Sequence, residues 1–209
     1  GRTPLLVSLP HIGQHIPPEV GDALLPHALN VADTDWHLDL LYDFVPDLGA
    51  GLIVPHHSRY VIDLNRPSDN RPMYPGANNT ELCPTMSFTG EPLYRDGMGP
   101  DAAEVARRTT RYWQPYHDTL RGELERLKRE HGYAILLDGH SIKSELPWLF
   151  PGRLPDLNLG TADGTSCAHS LRDALANLLA AQTRYAHVVD GRFKGGYITR
   201  HYGQPGEGI

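Results

Sequence analysis

Two histidines stand directly after apolar runs that predict buried strands. His11 follows the run at 5–9, and His140 follows the run at 133–137 after a short Asp-Gly turn. Because ligands collect beyond the carboxyl ends of strands in α/β folds, this position suits a site. Two imidazoles and one carboxylate, with an open position for water, form a recurring catalytic zinc arrangement. The alternative is a plain turn or hydrogen-bonding role for each histidine, and no HExxH signature decides between them.

The third metal ligand is expected at the start of a predicted amphipathic helix at 35–44. Asp33 and Asp35 both stand there, and we favour Asp35. One divalent metal ion, Zn2+, held in this way lowers the pKa of a bound water towards about 7 and polarises an amide carbonyl. Asp138, two residues before His140, either fixes an imidazole tautomer or caps the turn after the strand. The pattern indicates metal-assisted hydrolysis.

A segment rich in cations and amides follows the second predicted strand. Arg59 and Arg66 flank the apolar run 60–64, which predicts a strand that carries both arginines towards one end of the sheet. Guanidinium groups grip carboxylates in a bidentate manner, and Asn65 can add an amide donor. The alternative is that the arginines pair with Asp63 or Asp69 on the surface. We expect Asp63 to orient an arginine rather than to do chemistry.

Other catalytic arrangements are less favoured. Ser8 and Ser141 each stand near a histidine, but neither lies in the G-x-S-x-G turn of serine hydrolases. The glycine-rich pieces near the end of the chain lack both the P-loop order and the GxGxxG order, so nucleotide binding is weakly indicated. Cys83 and Cys167 show no CxxC spacing and are expected to be small core or loop residues.

The composition is that of a globular protein of one domain. The chain has 209 residues, of which 40% are hydrophobic and 21% charged, with a net charge of -6. This charge and the absence of a Lys/Arg run argue against nucleic acid or an anionic membrane as the main partner. No apolar run approaches the roughly 20 residues of a membrane span. Two cysteines without a disulfide pattern favour a cytoplasmic location. The oligomeric state stays open.

The predicted elements alternate between strands and helices. Strands are expected at 5–9, 52–54, 60–64, 133–137 and 187–189, and helices at 35–44, 101–131 and 166–181, with Pro115 dividing the longest helix and Gly132 capping it. This alternation predicts a three-layer α/β domain. Residues 67–100 form a long loop rich in Pro, Gly, Asn and Thr, and such loops in compact domains are usually functional. This loop and the glycine-rich tail from Gly195 are expected to close over the site.

Eight segments together resemble the N-formylglutamate amidohydrolases, also called deformylases, of histidine degradation. They are SLPHIG at 8–13, DTDW at 33–36, SRYVIDLNRP at 58–67, LCPT at 82–85, YWQPYH at 112–117, DGHS at 138–141, NLG at 158–160 and GGYITRHYG at 195–203. The resemblance runs essentially from end to end. It implies hydrolysis of N-formyl-L-glutamate to formate and L-glutamate, and a zinc-carboxypeptidase-like three-layer sandwich with a central mixed sheet.

The resemblance also implies the residues of the metal site. His11, Asp35 and His140 would hold the zinc ion and form the catalytic centre. The family is similar to the carboxypeptidases, which take a glutamate three residues after the first histidine as a ligand. That position here is Gln14, whose neutral amide is a poor metal ligand.

The same likeness implies how the acidic substrate is held. In carboxypeptidases an arginine and an Asn-Arg pair hold the substrate carboxylate, and Arg59 and Asn65-Arg66 occupy that place here. The metal, together with a nearby Arg or His, is expected to stabilise the oxyanion, and Arg59 is counted among the catalytic residues. Alternatives are a related zinc amidase acting on another N-acyl amino acid or peptide, and a non-catalytic protein that binds a metal or ligand.

The general base is the remaining expectation from the resemblance. Family members continue past the Gly-Glu-Gly segment into a Gln-Leu-Glu motif, whose glutamate is the expected base and would lie beyond Ile209. Residues 1–209 are thus expected to form a single amidohydrolase domain that lacks a short C-terminal segment. Glu145 and Glu207 are the available substitutes within the chain, and neither is favoured.

Overall fold

The fold mixes α-helices with short parallel strands. The computed structural model of the chain describes residues 1–72 and 79–209. Five strands occur in this part of the chain, in order β1 (Leu5–Ser8), β2 (Gly51–Ile53), β3 (Ile135–Asp138), β4 (Leu157–Leu159) and β5 (His187–Val189). They form two sheets, one ordered β2-β1-β3 and one pairing β4 with β5, and every strand pair in them is parallel.

The first sheet brings the predicted strand ends together. The register sets Ser8 of β1 beside Ile53 on one side and Asp138 on the other. Because the three strands are parallel, their carboxyl ends meet at one edge of the sheet. The segments that follow β1 and β3 carry His11 and His140, so this edge is where the two histidines were expected to meet.

The strand predictions hold within about two residues, apart from two differences. β4 was not predicted, and the strand predicted at 60–64 is wrong. Residues 59–61 form a turn, in which the Val61 N–H donates to the Ser58 carbonyl oxygen at 2.9 Å. The run is apolar because Tyr60, Val61, Ile62 and Leu64 are all buried. Burial on all sides leaves no alternation, so such a run does not distinguish a strand from a buried turn.

Six α-helices occur in the described residues. They are α1 (Pro18–Gly21), α2 (Leu38–Leu41), α3 (Ala102–Arg108), α4 (Gln114–His131), α5 (His169–Ala181) and α6 (Tyr197–Tyr202). The predicted helix at 35–44 shrinks to α2, because His37 takes a left-handed conformation (φ 65°) just before it. The apolar face expected there is largely exposed, with Leu40 at 68% and Leu41 at 64%.

The long predicted helix at 101–131 is confirmed with a change of pitch inside it. A five-residue π-helical segment, Thr109–Trp113, joins α3 to α4, whose second residue is Pro115. A proline has no N–H to donate and its ring disturbs the preceding turn, which explains why the irregularity lies there. Gly132 ends α4 with φ 83°, a left-handed value that favours glycine, and thereby confirms the predicted cap.

Helix α4 packs its apolar face into the core beside β1. Leu120, Leu124 and Leu127 are at most 1% exposed and belong to the same buried cluster as Leu6 of β1. We expect Leu124→Ala to lower the free energy of unfolding by about 2–5 kcal/mol, because it leaves a cavity. Urea denaturation measures this. Leu178→Ala on α5, where the side chain is 68% exposed, is the control and should change stability by less than about 1 kcal/mol.

The segments expected to act as lids have different structures. The loop at 67–100 has no α-helix or β-strand in its described part, and its residues 73–78 lie outside the described residues. The glycine-rich tail contains α6, whose Ile198 and Tyr202 are buried. Closure by either segment stays a prediction. No helix in 1–72 or 79–209 combines the length and the apolar character that a membrane crossing requires.

Candidate metal centre

Three residues from separate parts of the chain converge at the carboxyl edge of the first sheet. His11 follows β1, His140 follows β3, and Asp35 precedes α2. The Asp35 backbone N–H donates to the His11 carbonyl oxygen at 3.0 Å, which ties the two segments together. One ligand atom from each residue lies within 4.8 Å of the others, and no other such group of three occurs among the described residues.

The two imidazoles present the same ring nitrogen to the shared carboxylate. His140 Nδ1 lies 3.0 Å from Asp35 Oδ2, and His11 Nδ1 lies 3.7 Å from the same oxygen. The ring centroids are 5.0 Å apart. His11 Nδ1 is buried and has no hydrogen-bond partner among the described residues. A buried polar atom without a partner is costly, and a cation between these three groups would satisfy it. The residues present therefore fit a divalent metal.

Asp63 holds the other nitrogen of His11. Its carboxylate is fully buried, with Oδ1 2.7 Å from His11 Nε2 and Oδ2 accepting from Arg59 Nη2 at 2.6 Å. Burial opposes the charge, but the Arg59 guanidinium and the His11 ring keep the pKa of Asp63 well below its ordinary value. A charged carboxylate on Nε2 directs Nδ1 towards a metal, as metal-binding histidines generally require. Asp63 contacts Arg59, as the expected orienting role requires, and its contact with His11 was not predicted.

Asp138 does the same for His140. Its Oδ2 lies 2.8 Å from His140 Nε2, and its Oδ1 accepts from the Ser8 hydroxyl at 2.8 Å. Of the two roles considered from the sequence, the contact supports the one in which Asp138 fixes the imidazole. Each histidine therefore has a carboxylate on Nε2 and leaves Nδ1 facing Asp35. This repeated arrangement is typical of imidazoles that bind a metal.

The charges of the three groups depend on one another. Burial alone would raise the pKa of Asp35, but the imidazoles of His11 and His140 lower it far below its ordinary value. Desolvation opposes protonation of His140, yet the carboxylates of Asp138 and Asp35 raise its pKa to about 10. Without a metal, a proton on His140 thus supplies the positive charge that the acidic site attracts.

Arg59 lies beside this centre. Its guanidinium is buried, stacks over the Phe88 ring at 4.5 Å from the centroid, and approaches Asp35 Oδ1 to 4.0 Å. The predicted pairing with Asp63 does occur, but in the interior rather than on the surface. The strand expected to carry both arginines is absent, so buried turns place Arg59 at the centre instead.

The Arg66 guanidinium is held by Thr80 and by the backbone of Asn65. Its Nε donates to the Thr80 carbonyl oxygen at 3.0 Å, its Nη2 to the Thr80 hydroxyl at 2.8 Å, and its Nη1 to the Asn65 carbonyl oxygen at 3.0 Å. Asp69, the other surface partner considered, pairs with Arg71. These contacts fix the direction of the Arg66 guanidinium and leave its side chain half-buried.

The side chain of Asn65 contacts His140 and Asp138 through its amide nitrogen and Ile198 through its amide oxygen. Its Nδ2 lies 3.3 Å from Asp138 Oδ2 and 3.0 Å from His140 Nε2, while its Oδ1 accepts from the Ile198 N–H at 2.8 Å. If His140 Nε2 carries a hydrogen towards Asp138, it cannot also accept from Asn65. One amide N–H of Asn65 then remains for another acceptor.

A cleft of about 210 Å³ opens next to the converging residues. It is lined by residues close to His11, Asp35 and His140 in sequence or space, namely Ala32, Asp33, Thr34, Trp36, Phe88, Ser141, Ile142, Lys143 and Leu146.

Asp33, the alternative third ligand, accepts from the Phe88 N–H at 2.8 Å and is not in the converging group. Lys143 was not singled out from the sequence, although it stands only three residues after His140. Glu145 and Glu207 are both exposed.

Comparisons with known proteins agree on one family. A family model described as N-formylglutamate amidohydrolase matches residues 3–209. A protein named N-formylglutamate deformylase from Pseudomonas putida is 51% identical over 209 residues, which cover 100% of this chain and 78% of the relative. A protein of the same name from Pseudomonas aeruginosa PAO1 is 54% identical over 205 residues, covering 98% of this chain and 77% of the relative.

Solved structures agree with the sequence comparisons. The crystal structure of N-formylglutamate amidohydrolase from Ralstonia eutropha JMP134 superposes with a TM-score of 0.81 at 27% identity, covering 99% of this chain and 79% of that one. A gene product from Agrobacterium tumefaciens superposes with a TM-score of 0.64 at 21% identity, covering 91% of this chain and 70% of that one. The second likeness concerns the fold alone.

Proposed function

This chain belongs to the N-formylglutamate amidohydrolase family, and from that premise we propose how it hydrolyses N-formylglutamate to formate and glutamate. The proposal is that His11, Asp35 and His140 bind one zinc ion at the end of β1 and β3. The observation that supports it most directly is the buried, unpartnered Nδ1 of His11, which faces the Asp35 carboxylate and the His140 ring.

A bound zinc ion would supply an activated water and a polarised formyl carbonyl. The residues of the chain then orient and hold charge. Asp63 and Asp138 keep the Nδ1 atoms of the two histidines directed towards the ion. Arg59, 4.0 Å from Asp35 and held by Asp63, stabilises the negative charge that develops on the formyl oxygen. Its rigid, buried setting means that little reorganisation is needed during the reaction.

We place the acidic part of the substrate against Arg59, Asn65 and Arg66. The free amide N–H of Asn65 and the guanidinium groups provide the donors that a carboxylate accepts in a bidentate manner. Binding this end of the substrate positions the formyl group, so a substrate without the carboxylate should lose turnover as well as affinity. The cleft beside Trp36 and Phe88 offers room for the remainder of the molecule.

The single experiment that tests the function is metal-dependent release of formate from N-formyl-L-glutamate. We expect activity that a chelator removes and that added zinc restores. N-acetyl- and N-succinyl-glutamate, together with N-formyl derivatives of neutral amino acids, should be turned over far more slowly. Turnover that is indifferent to the acyl group or to the acidic side chain would favour a broader amidase, and bound zinc without any hydrolysis would favour a binding protein.

The carboxylate contact predicts a specific kinetic defect. Arg66→Ala should reduce kcat/KM for N-formylglutamate by roughly 10- to 100-fold, since a hydrogen bond to a charged group contributes about 1.5–3 kcal/mol. Steady-state kinetics on N-formylglutamate and N-formylleucine measure the effect, which should be larger for the acidic substrate. Arg71→Ala is the control, because Arg71 is exposed and forms a surface ion pair with Asp69. Unchanged kinetics in both Arg59→Ala and Arg66→Ala would exclude the carboxylate contact.

Metal binding should depend on pH in a defined direction. With the pKa of His140 raised to about 10, the ring is protonated near pH 7 in the metal-free protein, and it must lose that proton before Nδ1 can bind a cation. We therefore expect zinc affinity to rise with pH, by up to about tenfold per unit between pH 6.5 and 8.5. Competition with a chromophoric chelator measures the dissociation constant, and a flat profile would contradict the assignment of His140.

The finer description of the fold remains a proposal as well. We propose that residues 1–209 form one amidohydrolase domain of the zinc-carboxypeptidase-like, three-layer type, in which the two parallel sheets belong to one central mixed sheet. The superposition over 99% of the chain on a single relative supports the single domain. A cytoplasmic location is proposed from the cysteine usage.

A further inference from the structure

The short helix α6 contacts the turn that carries Asp63 and Asn65, two residues that contact the proposed metal ligands. The N–H of Ile198, in the first turn of α6, donates to Asn65 Oδ1 at 2.8 Å, and both residues are buried. The backbone N–H of Asn65 donates to Asp63 Oδ1 at 2.8 Å, on the same oxygen that contacts His11. The side-chain amide of Asn65 reaches Asp138 and His140. Asn65 thus connects α6 to the supporting carboxylates of both histidines.

Gly196, immediately before α6, is the residue against which the Asn65 amide packs. A Cβ atom on Gly196 would lie 2.6 Å from Asn65 Oδ1 and 2.7 Å from Asn65 Cγ, closer than real contacts allow. The backbone of Gly196 has φ -83°, which any residue can adopt. Glycine is therefore required here by the close approach of the amide and not by the backbone conformation.

A second buried link joins α6 to the same turn. His117 of α4 is fully buried, with Nε2 2.9 Å from the Leu64 carbonyl oxygen and Nδ1 2.9 Å from the Tyr202 hydroxyl. Burial lowers the pKa of His117 to about 4, although the contact with Leu64 opposes this, so the ring is neutral at pH 7. Because a carbonyl oxygen only accepts, Nε2 carries the hydrogen and Nδ1 accepts from Tyr202. Residues 64 and 65 are thus each held by α6, one directly and one through His117.

We propose that α6, with Gly196 before it, is a positioning element that sets the Asn65 amide and the Asp63–Asn65 turn, and thereby the orientation of the two histidines. The proposal rests on the proposed metal site at His11, Asp35 and His140. It gives a role to two segments of the chain, YWQPYH and GGYITRHYG, which the proposed chemistry leaves without one. In this role Gly196 and Tyr202 contact neither metal nor substrate and act through Asn65 and His117.

Gly196→Ala tests the proposal from a position that does not contact the metal ligands. Displacing the Asn65 amide should weaken zinc binding by about 10- to 100-fold, as loss of supporting contacts around metal ligands does elsewhere. The dissociation constant is measured by chelator competition. In the metal-free protein, long-range 1H–15N NMR spectra of the imidazoles should show shifted signals for His140. A helix that only stabilises the fold would change the melting temperature and leave both readouts as in the unchanged protein.

A double-mutant cycle identifies Asn65 as the intermediary. Asn65→Ala removes the atoms that the new methyl group would strike, so Gly196→Ala in that background should change the zinc dissociation constant by less than about twofold. If Gly196→Ala alone does not fold, the double variant should fold, because the clash requires the Asn65 side chain. Tyr202→Phe removes the hydroxyl that contacts His117 and should shift the same imidazole signals without adding atoms.

The control is Gly206→Ala, a change close to the end of the chain where a Cβ atom would meet nothing within 4 Å. It should leave zinc affinity and the His140 signals unchanged. Equal effects of Gly196→Ala with and without the Asn65 side chain, or a folded Gly196→Ala protein with normal zinc affinity and normal His140 signals, would overturn the proposal. If the unchanged protein binds no zinc, the proposed metal site fails, and the imidazole spectra still decide whether α6 positions His140.

Discussion

His11→Ala should abolish N-formylglutamate hydrolysis, with a fall in kcat/KM of at least about 1,000-fold. His11 supplies the buried Nδ1 atom that faces Asp35, so its loss leaves only two of the three proposed ligands. An activated water and a polarised carbonyl contribute several kcal/mol to the transition state, and each 1.36 kcal/mol corresponds to a factor of ten in rate. Formate release in the presence of zinc measures the loss, and the zinc content of the purified variant should fall with it.

The matched control for this change is His27→Ala, at an exposed histidine in the 3-10 helix Pro26–Asn30. It should retain full activity and full zinc content. A His11→Ala protein that keeps stoichiometric zinc and substantial activity would mean that the metal, if any, lies elsewhere. A protein that loses activity but keeps zinc would point to a role for His11 in proton transfer rather than in metal binding.

Asp63→Asn should have the largest combined effect on stability and metal binding. The carboxylate is fully buried and satisfies the Arg59 guanidinium, the His11 ring and the Asn65 N–H. Removing its charge leaves the buried Arg59 guanidinium without its closest ion-pair partner, which costs about 3–5 kcal/mol. Loss of the carboxylate on His11 Nε2 should weaken zinc binding by a further 10- to 100-fold. Urea denaturation of the metal-free protein and chelator competition measure the two effects separately.

Asp69→Asn provides the comparison at a surface ion pair with Arg71. Such exposed pairs contribute at most about 1 kcal/mol, so stability and zinc affinity should stay close to those of the unchanged protein. If Asp63→Asn unfolded at the same urea concentration as the unchanged protein, the buried pair would not be a source of stability. If its zinc affinity were also normal, the contact with His11 would have no part in organising the site.

Part of the site could be predicted from the sequence because the signals are local. An apolar run that stops at Pro10 indicates the end of β1, and a second run that stops at Asp138 indicates the end of β3, so His11 and His140 could be placed at strand ends. The choice of Asp35 over Asp33 agrees with the group that converges in the structure. Helix α4 and its cap at Gly132 follow from the spacing of apolar residues and from a glycine that takes a left-handed conformation.

The segment around Arg59 shows where such reasoning stops. Its apolar residues are buried on every side, so their pattern lacks the alternation that identifies a strand, and a strand was predicted where the chain forms turns. Helix α6 was also not predicted, because Gly195, Gly196 and Gly203 indicate a loop. In the structure, Gly196 is required because the Asn65 amide packs against it.

What the sequence determined by itself is the family, the chemistry of the ligands and the strand ends that carry them. What only the tertiary structure decided is which groups support those ligands. The contact between His11 and Asp63 spans 52 residues, that between His140 and Asn65 spans 75, and that between Asn65 and Ile198 spans 133. Residue type and periodicity describe the neighbours of a residue along the chain, but the partner of a buried polar group is chosen by the packing of distant segments, which brings the two atoms together away from water.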